Sequence, residues 1–488
     1  MQQLSHINKK VSGYLLVLVL VFGSIFLVIV SSFVGYIISQ DQVVNFRHEQ
    51  QRATEIAEAG LNYYRWYLAH FPDDVTDGTG LPGPYVHVYN DPEDGPIGEF
   101  SLDIASSTYC GSVSSVEVTS TGHTYVNPEA VSVINARYAR PTVAEYSFIT
   151  NGAVWYGDDR VITGPVHSNQ GIRMDGSHNS FVGSGQASWT CTSSFGCSGN
   201  PTVNGVFTTT ANANPGLFSF PISPVDFAGL TIDLSEMKTR AQDPTYGGIY
   251  YGPSGASGYR VIFNGDGTVT VRRVNSTTSY WAYSSEEGWH NTERNVINST
   301  SFLANETINS DCPLLYFEDK VWLEGEVSQK VTLAAANLSS GSQTNIVIND
   351  DITYASGVDA GLLAIAEDDV DVGLVVPNNM TANGIFVAQN GRFGRNHYCT
   401  SCTSGGWWGT NYGLPGSLDP YVLRGTLTRY GSVISNGRVG TQWTSSGVTV
   451  SGFQNRITSF DSNQVDSPPP MTPETSDVYI FDSWQQEG

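Results

Sequence analysis

The sequence is short of charge, and of positive charge above all. Charged residues make up 14% of the 488 residues, against ~25% in an average soluble domain. Lys plus Arg total 23 and Asp plus Glu 46, a formal net charge of −23. That balance argues against nucleic acid as a partner, because phosphate contacts need a basic surface. Several catalytic signatures are missing as well. There is no G-x-S-x-G elbow, no H-E-x-x-H pair and no Gly-Lys of a phosphate loop. Cysteine is scarce: Cys110, Cys191, Cys197, Cys312, Cys399 and Cys402 are the whole set. Two pairs are local, Cys191 with Cys197 and Cys399 with Cys402. Outside a cytoplasm such pairs read as disulfides. Cys399-x-x-Cys402 has two other readings, a redox pair and half of a zinc site. The zinc reading needs two more ligands, and the chain has no second Cys-x-x-Cys and only His397 close by.

What the chain has in quantity is turn and strand material. Gly is 51, Tyr 25 and Trp 10. Many short alternating segments lie between Gly, Asn and Ser turns, which favours β-structure over a helical bundle. The length predicts one large domain, or two to three ordinary ones, beyond the N-terminal segment.

That N-terminal segment is the exception to the β texture. From Tyr14 to Ile38 no residue is charged, and most are Leu, Val, Ile or Phe. As a helix at ~1.5 Å per residue, the run crosses a ~30 Å hydrocarbon core. Lys9 and Lys10 precede it with no acid, so the positive-inside rule keeps the N-terminus cytoplasmic and exports the bulk. A cleavable signal peptide would have a core of only ~7–15 residues before a small-x-small site. This run is longer and ends in Gly-Tyr-Ile-Ile-Ser-Gln, which favours a retained anchor. Apolar positions then continue near the 3.6 period through Ile56, Ala57, Leu61, Tyr64 and Leu68, with charged residues between them. Pro72 marks the stop. One helix is therefore expected from about Tyr14 to about His70.

A short basic leader ending in glycine, an uncharged apolar helix, and a polar helix carrying Ala57-Glu58-Ala59-Gly60-Leu61 resemble the N-terminus of type IV pilin-like proteins. The resemblance is nearest to the PilX-type minor pilins. It implies prepilin cleavage between Gly13 and Tyr14, and packing of the exposed helix against other pilin-like subunits through the 57–61 block. Two positions depart from the major pilins. Leu18 stands at the fifth place past the cut, where those have Glu, and Tyr14 stands where Phe or Met is usual. Further on, Gly164 to Asn169 (G-P-V-H-S-N), Asp466 to Pro473 (D-S-P-P-P-M-T-P) and Phe481 to Trp484 (F-D-S-W) look like the exported region of long PilX-like proteins. That implies a β-rich head and assigns it no chemistry.

The expected fold is mainly β with one long N-terminal helix: a pilin-like helix and small sheet, followed by an irregular parallel β-helix, with an antiparallel β-sandwich as the alternative. Residues 1–13 are the leader, 14–71 the transmembrane and amphipathic helix, and 72–143 a small β domain. Strands are expected at Phe100 to Ala105, Val113 to Thr121 and Ala130 to Tyr138. Residues 144–212 and 313–465 carry the solenoid texture. Residues 213–312 read as an inserted α+β module with a helix from Leu230 to Gln242 and a hairpin turned at Asn264 to Gly267. Residues 466–488 read as a tail.

Few side chains point to chemistry. His167 lies in G-P-V-H-S-N without a visible nucleophile or orienting carboxylate, so it reads as a solenoid position. Glu367 to Asp371 is an acidic cluster. Calcium would be its cofactor, with Asp369 and Asp371 on one face as candidate ligands; a solvated turn is the preferred reading. The aromatic words Tyr250-Tyr251, Tyr280-Trp281-Ala282-Tyr283 and Trp407-Trp408 suit protein or glycan contact, and the last sits beside Cys399 and Cys402. The sequence therefore points to a non-enzymatic, membrane-anchored pilin-like protein, a minor or tip subunit. Its expected partners are membrane lipid and other pilin-like subunits. The alternative is a cell-surface adhesin binding a surface ligand or glycan, and a calcium-dependent polysaccharide lyase stands third.

Overall fold

A computed structural model describes residues 11–486 except 73, 94, 228, 292–295, 340, 342, 404–408, 446 and 477. The chain is mainly β with one long N-terminal helix, and it divides into two compact units.

Unit 1 holds residues up to 106, residues 116–138 and the chain from Phe481 onward. Its helix α1 spans Val11–His70. No acid, Pro or β-strand turn signal interrupts the apolar run, and the helix continues without a break into the amphipathic half. Four strands follow: β1 (Tyr85–Asp91), β2 (Gly95–Tyr109), β3 (Ser112–Thr124) and β4 (Val131–Ala139). Together with Ile480–Gln486 they form a five-stranded sheet in the order β1-β2-β3-β4-C-terminal strand. Alternate residues face the helix: Phe100 and Leu102 on β2, Val116 and Val118 on β3, Ile134, Ala136 and Tyr138 on β4 are all buried. Their burial follows the two-residue period of a one-faced sheet. The sequence reading places residues 480–486 in the 466–488 tail. They carry Ile, Phe and Trp at short spacing and are held as an edge strand instead.

Unit 2 holds residues 107–115 and 139–480. It is built from short strands in parallel register. The longest row runs Phe218–Ser219, Val182–Ser184, Val166–Ser168, Phe148–Thr150, Leu423–Ser435, Asn379–Ala388, Gly361–Ala366, Lys330–Ala335, Leu314–Phe317 and Ile249–Tyr251, each parallel to the next. A second row joins Gly258–Asn264, Val321–Val327, Ile346–Tyr354, Val370–Val372 and Phe393–Gly394, again in parallel. A third runs through residues 325–327, 352–354, 382, 426–430 and 455–459. Their inward residues form one large apolar core, from Phe148 to Phe453.

The order along the first row is unusual. The chain enters in the middle, at Phe148–Thr150, and winds outward to Phe218. It crosses through the helix Gly229–Gln242 to the far end at Ile249, then winds back until Val433–Ser435 pairs with Phe148–Thr150. Residues 213–312 thus contribute strands to two rows, as well as the antiparallel hairpin Thr268–Thr278 with Val296–Thr307. The segments entering and leaving this unit are joined. Thr142 bridges Glu474, Val143 N donates to Pro473 O at 2.9 Å, Thr475 N donates to Pro141 O at 2.8 Å, and Arg140 pairs with Glu474 at 3.1 Å.

Candidate functional site

Helix α1 has two halves of different character. Residues 14–48 are exposed throughout, although 14–38 are uncharged and mostly apolar. The helix is long and apolar enough to cross a membrane. Such an uncovered apolar surface is stable only in lipid or against other apolar helices. The prepilin candidates differ in what is described. Tyr14 is an exposed helical residue, and Gly13 is helical.

From Glu49 the helix is anchored. Glu49 Oε2 accepts from the Thr124 hydroxyl at 2.6 Å, and Thr54 Oγ1 donates to Ser132 Oγ at 3.0 Å. Tyr138 Oη donates to the Leu61 carbonyl at 2.7 Å. Ala53, Ile56, Ala57, Leu61, Tyr64 and Leu68 are buried, a helical face of three- and four-residue spacing. Within the 57–61 block, Ala57, Gly60 and Leu61 face the sheet, Ala59 is half-buried and Glu58 is exposed. The block's apolar members therefore pack within the unit, and Glu58 is its outward group. Two glycines set the closeness of this contact. A Cβ on Gly60 would run into Ser120 Oγ and the Phe100 ring. One on Gly122 would meet the backbone of Ala53 and Ala57. Gly122 lies just past the expected strand Val113 to Thr121, but the strand runs on to Thr124 and places it inside, where a glycine marks close backbone approach.

Below the helix a polar knot closes the turn. Asp74 accepts from Thr76 N at 2.7 Å, Thr76 Oγ1 at 2.6 Å, Tyr67 Oη at 2.6 Å and Gly78 N at 3.1 Å. These bonds, the Thr76 hydroxyl foremost, hold its carboxyl down at about 2. Tyr63 donates to Asp77 at 3.0 Å, and burial with that carboxylate pushes its phenol up to about 12.

In unit 2 the disulfides are Cys110–Cys312, Cys191–Cys197 and Cys399–Cys402. Nothing in the sequence pairs Cys110 with Cys312, which are 202 residues apart. Trp407 and Trp408 lie outside the described residues. Around the adjacent Cys399–Cys402 loop, however, several aromatics meet. Trp289 stacks on Tyr412 with centroids 4.5 Å apart and planes 5° from parallel, and Trp281 meets the same ring edge-on at 4.9 Å. Tyr283 contacts Trp443 at 5.6 Å, and His397 lies 5.7 Å from both tryptophans, Trp289 and Trp443. All are half-buried. The word Tyr280 to Tyr283 was legible. Trp289, Tyr412 and Trp443 were single residues carrying no local signal. Tyr250 and Tyr251 instead stack along the main row on Tyr316 and Phe317.

The acidic cluster is not left open to solvent. Asp371 is buried and lies 3.4 Å from Arg392, whose backbone N donates to Asp369 Oδ1 at 2.6 Å. Among the described residues, no group of three or more His, Cys, Asp or Glu converges as a metal site. His167 is buried in the main row, with Nε2 2.8 Å from Asn169 Oδ1, and burial holds its pKa below the usual histidine range.

No protein-family model matches the sequence, and no curated protein does. Among solved structures the chain is similar to the competence-associated pilin ComZ from Thermus thermophilus. The identity is 13%, over 90% of this chain and 98% of that one, with a TM-score of 0.26. At that score the likeness does not define a shared fold.

Proposed function

We propose that this protein is a membrane-anchored, pilin-like minor or tip subunit of a type IV pilus or related secretion apparatus, displaying a large β-rich head. One observation carries the reading: a single helix whose exposed first half is lipid-compatible and whose second half is docked on an antiparallel sheet. A plain membrane anchor needs no such rigid continuation into a folded domain. The N-terminal order of basic leader, Gly13, apolar run and Ala57 to Leu61 supports the same conclusion. The absence of an acid at Leu18 favours a minor or tip place over a bulk filament subunit. The N-terminus is cytoplasmic and the head extracytoplasmic. The partners are membrane lipid and other pilin-like subunits along the exposed helix. The head is an irregular parallel β-helix, a reading supported by its three parallel rows, and its role is display and not catalysis.

Mass spectrometry of the native protein tests the processing step. A mature chain beginning with a free Tyr14 amine is expected, and an intact Met1 would overturn it. Cross-linking from Glu58 to other pilin-like subunits, recovered from sheared surface filaments, tests the assembly step.

A second reading, an adhesin on the same anchor, is favoured by the aromatic group around Trp281, Trp289 and Tyr412. Aromatic faces beside polar groups suit sugar rings. Replacing Trp281 and Trp289 by Ala should abolish binding on a glycan array if that reading holds, and replacing Trp407 and Trp408 extends the test to the neighbouring loop. Unchanged binding would remove it.

A further inference from the structure

Unit 2 gathers three arginines around a single rim carboxylate among the described residues. The strand Leu423–Ser435 changes neighbours part-way. Residues up to Tyr430 pair with Val448–Ser459, and residues from Val433 pair with Phe148–Thr150. The change falls at Gly431, whose φ of 127° only glycine adopts readily. The two neighbouring strands part there and leave a cavity of about 70 Å³ in the fork. Arg160, Arg429 and Arg456 line it, together with Tyr156, Thr458 and Phe148, and among the described residues no Asp or Glu does.

Arg429 is 4% exposed, with its guanidinium 4.5 Å above the Phe148 ring. Arg429 Nη2 and Arg160 Nη2 donate to the same Thr458 hydroxyl, at 3.3 and 3.4 Å. Arg456 pairs with Asp159 at 2.5 Å, on a rim where Asp159 is 55% exposed. Several donors remain unused. Arg160 Nε, Arg429 Nη1, Arg456 Nε and Tyr156 Oη are buried without a hydrogen-bond partner among the described residues. Buried unpaired cations and donors are costly, and three of like sign together are costlier still. Burial, with the neighbouring guanidinium second, presses Arg429 down to about 9 and Arg160 to about 10. The contrast with composition is sharp: a chain with twice as many acids as bases spends three arginines here on one rim carboxylate.

We propose that this fork is a binding site for a small oxyanion, held by Arg160, Arg429 and Arg456 with the Tyr156 and Thr458 hydroxyls. Guanidinium groups match the oxygens of phosphate, sulfate and carboxylate, and an anion there satisfies the orphaned donors at once. The volume sets the size class: it admits about five waters, which suits a small oxyanion and not a nucleotide. A larger molecule enters only by a terminal carboxylate or sulfate.

The test uses the full chain in detergent micelles. Phosphate, sulfate and acetate are titrated by calorimetry, each against NaCl at matched ionic strength, and thermal midpoints are recorded in parallel. At least one oxyanion should bind saturably and raise the midpoint at about 10 mM, where chloride does not. Tight acetate binding assigns the planar carboxylate as the preferred group; tight phosphate or sulfate binding assigns the tetrahedral one. Arg429→Gln should weaken that binding at least about tenfold while leaving the anion-free midpoint unchanged or higher. Asp159→Asn frees Arg456 from its competing carboxylate and should tighten binding. Should Arg429→Gln fail to fold, Arg456→Gln on the rim and Asp159→Asn decide the matter in opposite directions. The proposal falls if the wild-type chain binds none of the three anions better than chloride, or if neither rim variant changes the affinity.

Discussion

Gly122 shows how tightly one residue can set a contact. Its Cα faces the Ala53 and Ala57 backbone of α1, which cannot rotate out of the way. Gly122→Val should therefore destabilise unit 1 by about 1–3 kcal/mol, read from denaturant unfolding, whereas Gly80→Ala on the exposed loop, where a Cβ meets nothing, gives the much smaller cost of backbone strain alone. Asp74 gives a second test. Its carboxyl is held below the ordinary range, so its contribution is fully present above about pH 4 and is lost as pH falls through about 2. Asp74→Asn should lower the thermal midpoint at neutral pH by roughly a few degrees, a gap that closes between those two pH values. At this scale the sequence was partly legible. The whole block Ala57 to Leu61 stands out as a packing segment, expected against other subunits; Ala57, Gly60 and Leu61 are buried within unit 1, Ala59 is half-buried and Glu58 is exposed. Arg160, Arg429 and Arg456 carried no signal, because only the fork between distant strands brings them together.

The element most legible in advance was α1. Its apolar run, amphipathic continuation and Pro72 stop fix its length, and Val11–His70 follows. An arginine at its lipid-facing centre tests the anchoring half. Val28→Arg should cost about 2.5–3.5 kcal/mol of membrane insertion and shift protein into the carbonate-extractable fraction. The helix Gly229–Gln242 and the hairpin turn at Asn264 to Gly267 were likewise visible from local signals. The strands of unit 2 were visible as texture only. Short apolar words such as Leu362 to Ala366 and Ile385 to Ala388 show that a strand is buried on both faces, not which strand lies beside it. The disulfide Cys110–Cys312 belongs with these long-range facts. Replacing both cysteines by Ser should destabilise unit 2 by about 2–5 kcal/mol, measured against the reduced wild type as a control in which the difference vanishes.

At the scale of the molecule, the order of the main row matters more than any strand in it. The row is completed where Ile434 meets Ile149, both fully buried, and these belong to the last and first strands laid down. Ile434→Ala should cost about 2–5 kcal/mol, and hydrogen exchange should lose protection on both sides of the junction, in residues 148–219 as well as 379–435. An open stack of repeats would lose it mainly at one end. Closure between such distant segments also predicts slow folding, because chain entropy is lost before the contacts form. The joined strands at Pro141 to Val143 and Pro473 to Thr475 carry a different consequence. The polypeptide leaves the small sheet after β4 and returns to it as the C-terminal strand, so residues 139–480 begin and end at two adjacent points; the remaining piece of this unit, residues 107–115 between β2 and β3, is tied to it by Cys110–Cys312. In engineering terms the head is a cassette. Its two ends lie within a hydrogen bond of each other, so, with Cys110 replaced because its partner Cys312 leaves with the cassette, a short linker or an unrelated domain with neighbouring termini can be spliced across the same gap, and one anchoring chassis can carry exchangeable cargo.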